Sequence, residues 1–384
     1  MENGKIVVLQ VLGGFNLGGA ESRIMDIARN LNGTDIVYKF LLHTEGGDYY
    51  EEEAESLGLE IYRVPRFKFY NLSAYKKALK TFFTEHKEID IVQGHMTSTA
   101  AIYLPIAKRC NNGVVTIAHA RSAGVDKGLK GILTLMLRKN LPNKTDYMWA
   151  CSTEAAISVY GNENYSKGRT FIIPNAINVE QFIVDDDNEQ VKQLRSRYGL
   201  EGSFVVGHVG SFRYAKNHEF LLQIFSEILR IRSDSKLLLV GDGKRREEIK
   251  TLADNLGISD KVIFAGNHSN VNEYYKLMDI LIFPSRYEGL PGTIVESEAA
   301  GLPALISSAV TRDVGVTELV RYKSLEEGCG EWAKEALDYY EQQASTEQAK
   351  RQAEAIRILK DKGFDVKGQV QLLGAEYRRM VNKV

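Results

Sequence analysis

The chain lacks any run of about 18 apolar residues, the length a helix needs to cross a lipid bilayer. It also lacks a charge excess: 49 basic against 50 acidic residues leave a formal charge of -1, without the basic surplus of a general nucleic-acid binder. Cysteine is scarce. The three present, Cys110, Cys151 and Cys329, are far apart and odd in number, so they form neither a metal-binding spacing nor a disulfide framework and favour a reducing compartment. The apolar stretch in MENGKIVVLQVLGG is too short and too β-branched for a signal peptide, and no small-residue cleavage site follows. Short-period repeats and low-complexity tracts are missing as well. Together these absences predict a cytoplasmic globular protein.

What is present is a regular alternation. Short runs rich in Val and Ile (KIVVLQV, DIVYKFLLH, LEIYRV, IDIVQGH, VVTIAH, YMWACS, TFIIP) are separated by helical patterns such as ESRIMDIARNL and AYKKALKTFF. Strands alternating with helices imply a parallel sheet covered on both faces. A polar, acidic interval around IIPNAINVEQFIVDDDNEQ interrupts the pattern, which then restarts at FVVGHVGSF. The predicted fold class is α/β: two Rossmann-like, doubly wound parallel-sheet domains facing an interdomain cleft. The boundaries read as 1–174 for a first domain, 175–200 for a linker, 201–365 for a second domain and 366–384 for a closing helix. In such sheets ligands sit beyond the carboxyl ends of the strands, so the residues following each strand carry the information.

After the first strand, Gly13, Gly14, Gly18 and Gly19 crowd a loop that feeds a helix starting near Ala20. The spacing does not match the G-x-G-x-x-G dinucleotide fingerprint. Two readings remain, a loop that admits a phosphate or sugar at a helix N-terminus and a flexible turn with a cap. In VGSFRYAKNHEF, Arg213 and Lys216 precede a helix, where cations oppose the helix dipole. They face an anionic ligand or lie on a solvated loop. Gly241 and Gly243 in LVGDG read as a tight turn that shapes the packing.

The stretch EGLPGTIVESEAAG follows the strand DILIFP and places Glu288 and Glu296 on either side of a rigid turn. A helix is expected from near Thr293, with Gly301 closing it. Backbone N–H groups of Gly292, Thr293 and Ile294 suit a diphosphate, and carboxylates do not. Glu296 therefore reads as a partner for ribose hydroxyls and Glu288 for those of a transferred sugar. The alternative is a turn acid and a helix-favouring residue on a solvated face.

With these motifs in view, the chain resembles the retaining glycosyltransferases of family four, whose two-domain fold is called GT-B. The resemblance runs over nearly the whole chain: GGAE at Gly18–Glu21, the strand ending at His119, PNAIN at Pro174–Asn178, KNH at Lys216–His218, VGDG at Val240–Gly243, E-x7-E at Glu288 and Glu296, and the closing helix with Tyr377. The pattern is similar to that of capsule and exopolysaccharide enzymes. It implies Glu296 as the ribose ligand, with Gly289, Leu290, Thr293 and Ile294 around the donor, and Glu288 at the donor sugar. Lys216 is implied as the diphosphate cation, Gly18 and Gly19 as the loop the donor approaches, and His119 as a histidine near sugar and leaving group. Asn267 and Val271 fall where the family binds the base. The sequence departs from the family at Ser211, where an arginine is usual; Arg213 stands two residues on.

The implied reaction transfers a sugar from a nucleotide-sugar, most readily a UDP-sugar, to a glycan or lipid-linked acceptor with retention. Neither a cofactor nor a metal is expected, and Asp185, Asp186 and Asp187 read as a solvated acidic loop. The competing functions are a nucleotide-sugar epimerase or hydrolase of the same fold, or a non-catalytic sensor. His95 ends a strand and reads as acceptor-lining or structural. Residues 121–144 carry six basic residues and one acid, with Leu129, Ile132, Leu133, Met136 and Leu137 at helical spacing. They read either as a peripheral contact with the inner membrane face or as an ordinary helix packed on the sheet. No nucleic-acid partner is expected, and the chain is expected to be a monomer or homodimer.

Overall fold

The computed structural model describes residues 4–16, 18–121, 124, 129–183 and 188–382. It divides into two compact units, Met1–Ala176 with Val366–Val384, and Ile177–Asp365.

The first unit is built on seven strands: β1 Ile6–Leu12, β2 Ile36–Leu42, β3 Glu60–Arg63, β4 Ile91–Gly94, β5 Val115–Ala120, β6 Tyr147–Ala150 and β7 Thr170–Ile172. They pair in the order β3-β2-β1-β4-β5-β6-β7, all parallel. Central β1, IVVLQVL, is buried along its whole length, as expected of a strand covered on both faces. The chain winds outward from β1 to β3 and returns to lay β4 against the other edge of β1, so the strand order reverses between β1 and β4. The C-terminal helix Val366–Val381 packs back onto this unit. Its Tyr377 is fully buried, with its ring stacked 5.7 Å from Trp149 of β6.

The second unit repeats the plan with β8 Phe204–Val209, β9 Ser235–Val240, β10 Val262–Gly266, β11 Ile280–Phe283, β12 Ala304–Ser307 and β13 Val320–Lys323. The order is β10-β9-β8-β11-β12-β13, again all parallel. Here the reversal lies between β8 and β11. Both sheets are therefore of the doubly wound kind in which ligands bind at the reversal, beyond the carboxyl ends of the strands.

The segment 175–200 contributes packed structure. Val179, Phe182, Val191 and Leu200 are buried, and Asn188 caps the helix Glu189–Arg197 by accepting from Gln190 and Val191 N–H. Asp185, Asp186 and Asp187 lie outside the described residues, as do 122, 123 and 125–128 of the basic segment.

Candidate active site

At the reversal of the second sheet, two loops are zipped together. After β8 the chain makes a short turn, Tyr214–Lys216, and Asn217 then adopts a left-handed conformation at φ 56 before the helix His218–Ile231. Asparagine tolerates that region better than most residues. Its side-chain amide donates to Pro284 O at 3.1 Å, just past β11, and Arg286 N–H donates to Ala215 O at 2.7 Å. Arg286 also lies over the Tyr214 ring, 4.1 Å from its centroid.

These ties bring Lys216 against Glu288, Nζ to Oε1 at 2.8 Å. Lys216 is buried, and its ammonium sits 4.3 Å from the Phe283 ring centroid. Burial lowers the Lys216 pKa, and the Glu288 carboxylate opposes that shift. Gly210 makes room for the lysine stem: a Cβ there would lie 3.1 Å from Lys216 Cε and 3.3 Å from His208 Nε2. His208 and His218 line the same end of the sheet. His208 Nδ1 bonds Ile282 O at 2.9 Å, and the His218 ring stacks on Phe212 with centroids 4.2 Å apart. Burial, then Lys216 and Arg245, push the His218 pKa down to about 3, so its ring is neutral at physiological pH.

Arg213 is exposed and turns onto Ser211, Nε donating to Oγ at 2.7 Å. Ser211 thus anchors Arg213, two places on.

The helix after β11 spans Gly292–Ala299 with Pro291 at its N-cap, one residue earlier than the sequence suggests. One expectation is corrected. The N–H of Ile294 is not available to a ligand, because it donates to Pro291 O at 3.1 Å in the first turn. Gly292 and Thr293 remain, their N–H groups without a backbone acceptor among the described residues. Glu296 bends back over this turn: Tyr275 Oη donates to its Oε2 at 2.9 Å and to Thr293 O at 3.2 Å. Tyr275 comes from the short helix Val271–Tyr275 that follows Asn267, which is exposed beyond β10. Leu290 is buried beneath the turn and Gly289 is half-buried. Lys216, Glu288, Gly292, Thr293 and Glu296 are thereby gathered at one sheet end. The missed members are Tyr275, Asn217 and His208.

The same helix carries a group that sequence reading overlooked. Glu298 is fully buried, and its Oε1 accepts from Thr317 N–H and Oγ–H, both at 2.8 Å. Burial raises its pKa to about 7 from 4.5 despite those donors. A carboxyl whose folded pKa is raised stabilises fully below its unfolded pKa, and that stability is lost as pH rises through the folded one. The expected loss between pH 4.5 and about 7 is of the order of 3 kcal/mol. Glu298→Gln should therefore show a flatter dependence of urea-unfolding stability on pH over that window. Parallel curves for the two proteins would refute the assignment.

In the first unit the corresponding reversal gathers polar side chains. Gly18 is the N-cap of the helix Gly19–Arg29, and an added Cβ there would meet Glu21 Oε2 at 2.3 Å, whereas one on Gly19 would meet nothing within 4 Å. His119 is buried near the end of β5. Gln93 Nε2 lies 2.9 Å from its Nδ1, and its Nε2 has no protein partner among the described residues. His95 Nε2 lies 2.7 Å from Gln10 Oε1, and Arg121 Nε donates to His95 Nδ1 at 3.2 Å. Arg121 also donates to Asn175 Oδ1 at 2.8 Å. Burial, then Arg121 and His95, hold the His119 pKa well below the usual histidine value. Gln10, Gln93 and Arg121 were not singled out by the sequence.

The helix Leu129–Lys139 leaves Ile132, Leu135 and Met136 at 58%, 51% and 65% exposure, while Arg138 is buried and donates to Thr97 Oγ1 at 3.0 Å. The side chains of Leu129 and Leu133 lie outside the described residues. No helix among the described residues is long and apolar enough to cross a membrane.

The chain is similar to known proteins along most of its length. Residues 17–181 match the family model described as Glycosyltransferase Family 4, and residues 190–356 the model described as Glycosyl transferases group 1. EpsF of Bacillus subtilis, named provisionally as a glycosyltransferase, is 28% identical over 85% of this chain and 85% of its own length. CapH of Staphylococcus aureus, a capsular polysaccharide biosynthesis glycosyltransferase, is 26% identical over 84% of this chain and 86% of its own. Among solved structures, Anabaena HepE in complex with UDP and glucose superposes with a TM-score of 0.78 at 17% identity, covering 97% of this chain and 99% of that one.

Proposed function

Because the chain belongs to the glycosyltransferases of family 4, with a GT-B architecture of two parallel-sheet units, we propose that it transfers a sugar from a UDP-sugar to a glycan or lipid-linked acceptor with retention. The observation that carries the reading is the buried Lys216–Glu288 pair beside the N-terminus of the helix Gly292–Ala299. Departure of a nucleoside diphosphate builds negative charge on its terminal phosphate, and preorganised donors that meet this charge are the main catalytic lever. Lys216 and the N–H groups of Gly292 and Thr293 supply them, the helix end adding its partial positive charge. This local supply of positive charge is the basis for proposing a metal-independent reaction.

Glu296, held by Tyr275, accepts from the ribose hydroxyls. Glu288 orients the lysine and takes a hydroxyl of the transferred sugar, its charge balancing the positive character of the ring as the bond to the diphosphate lengthens. The C1–O bond to the diphosphate breaks, and the acceptor oxygen bonds C1 on the same face. The acceptor's proton passes to the departing phosphate oxygen. His119 donates a hydrogen bond to the sugar, and Asn267 and Val271 flank the base. UDP is the favoured nucleotide because HepE, a structural neighbour, was crystallised with it. An acceptor carried on a lipid surface fits the exposed Ile132, Leu135 and Met136.

The test is nucleoside diphosphate release from a panel of UDP-, GDP- and ADP-sugars, with acceptors free in solution or anchored in anionic vesicles. Transfer predicts release from UDP-sugars that rises with acceptor, most with the vesicle-borne form. Equal release without acceptor would mean hydrolysis, and tight binding without release would mean a sensor. Glu296→Ala is expected to weaken UDP binding roughly tenfold to a hundredfold, about 1.4–3 kcal/mol, through loss of charge-assisted hydrogen bonds. Glu288→Ala should mainly lower kcat. Small and equal effects of the two would refute the roles.

A further inference from the structure

The hydrogen bonds around His119 form a chain in which each donor can be assigned. Arginine has no acceptor, so Arg121 Nε–H must donate to His95 Nδ1. His95 is then protonated on Nε2 and donates to Gln10 Oε1. This orients the Gln10 amide with its Nε2 toward Gln93 Oε1, at 3.5 Å. From the other side, Tyr377 Oη donates to the same Gln93 Oε1 at 2.5 Å. Gln93 Oε1 is thus the acceptor of two donors, and its Nε2–H₂ must face His119 Nδ1 at 2.9 Å. An amide nitrogen only donates, so His119 Nδ1 accepts and the ring proton sits on Nε2.

From this geometry we infer that Tyr377 and Gln93 are positioning residues that hold His119 in its Nε2–H tautomer, so that it meets a ligand as a hydrogen-bond donor and not as a base. The C-terminal helix thereby acts on the site through one hydroxyl. Trp149, which lies between the rings with centroids 5.8 Å from His119 and 5.7 Å from Tyr377, holds the helix at that distance. A ring freed from Gln93 would exchange between tautomers, and in the other its Nε2 would present a lone pair to the sugar hydroxyl. The functional half of this inference rests on the proposed contact between His119 and the donor sugar; the tautomer itself does not.

The experiment is ¹⁵N imidazole spectroscopy of the full chain at pH 7, with the His119 signals identified by their loss in His119→Asn. The wild type is expected to show one neutral tautomer with the proton on Nε2. Tyr377→Phe removes one oxygen from a packed ring and should give a mixture. Gln93→Glu presents a carboxylate that accepts from both Tyr377 and His119, and should drive the proton onto Nδ1. If the reading of His119 as a donor-sugar contact holds, kcat falls roughly threefold to tenfold in Tyr377→Phe and further in Gln93→Glu, with KM for the nucleotide-sugar within about twofold. An Nδ1–H wild-type ring, or variants with the wild-type spectrum, would overturn the assignment. Altered spectra with unchanged kcat would overturn its role in turnover. The spectrum reads the tautomer whichever nucleotide-sugar is used, so a wrong donor leaves that half of the test intact.

Discussion

Lys216→Ala is expected to lower kcat/KM by about a thousandfold, roughly 4 kcal/mol of transition-state stabilisation, the scale for deleting one preorganised donor from a charge-developing site. Among the described residues the ammonium is the one side-chain cation buried at the reversal of the second sheet beside Glu288, and Arg213 is turned onto Ser211. The folding cost separates from the catalytic cost. Removing the lysine leaves Glu288 without its partner in a mostly buried setting, which should cost about 2 kcal/mol, less than a fully buried pair because the carboxylate keeps some contact with water. In Lys216→Ala/Glu288→Ala the orphaned charge is gone, so stability should recover while turnover stays low. A double variant that recovers turnover, or a single variant within tenfold of the wild type, would show that Lys216 is a structural ion-pair partner.

Much of this arrangement is legible before any coordinates are seen. Val- and Ile-rich strands alternating with helices give two parallel sheets, and the rule that ligands lie beyond strand carboxyl ends directs attention to Lys216, Glu288 and His119. What stays hidden depends on strand order. Gln10 and Gln93 stand 83 residues apart and become neighbours only because β4 pairs with β1 in the register Gln10↔Gln93. A glutamine in a strand carries no local signal that it will face a histidine. The burial of Lys216 is hidden for another reason: lysine is exposed by default, and it takes the Asn217–Pro284 and Arg286–Ala215 ties to close the two loops over it. Tyr275 reaches Glu296 from a short helix 21 residues away, a contact no helical spacing announces. The Ile294 N–H departs from the sequence expectation because the residues of a first helical turn do not all keep free donors; a bond to Pro291 O takes this one.

Gly241 and Gly243, just after β9, read as shaping elements, and Gly241 supplies the strongest test of that view. Its φ of +137 lies where side-chain-bearing residues are rarely found, and an added Cβ would come within 2.2 Å of Gly210 O. The obstacle is backbone, so no rotamer change relieves it. Gly210 N–H is itself bonded to Val240 O at 2.9 Å, and Phe212 N–H to Asp242 O at 3.0 Å, so the segment leading to Lys216 is fastened to this turn. Gly241→Ala should therefore lose about 3 kcal/mol or more of stability, backbone strain of about 1–3 kcal/mol plus the clash. It should also weaken UDP binding in whatever fraction stays folded, since moving Gly210 moves the lysine. Gly266→Ala is the control: its φ is +86, yet an added Cβ would meet nothing within 4 Å. Strain alone predicts a loss of about 1–2 kcal/mol there, with UDP affinity unchanged. Urea midpoints and UDP titrations of the two variants separate conformational strain from the approach of Gly210. If the variants lose the same stability, the loop before Lys216 yields to a methyl group, and the rigidity assigned to the lysine side of the site is wrong.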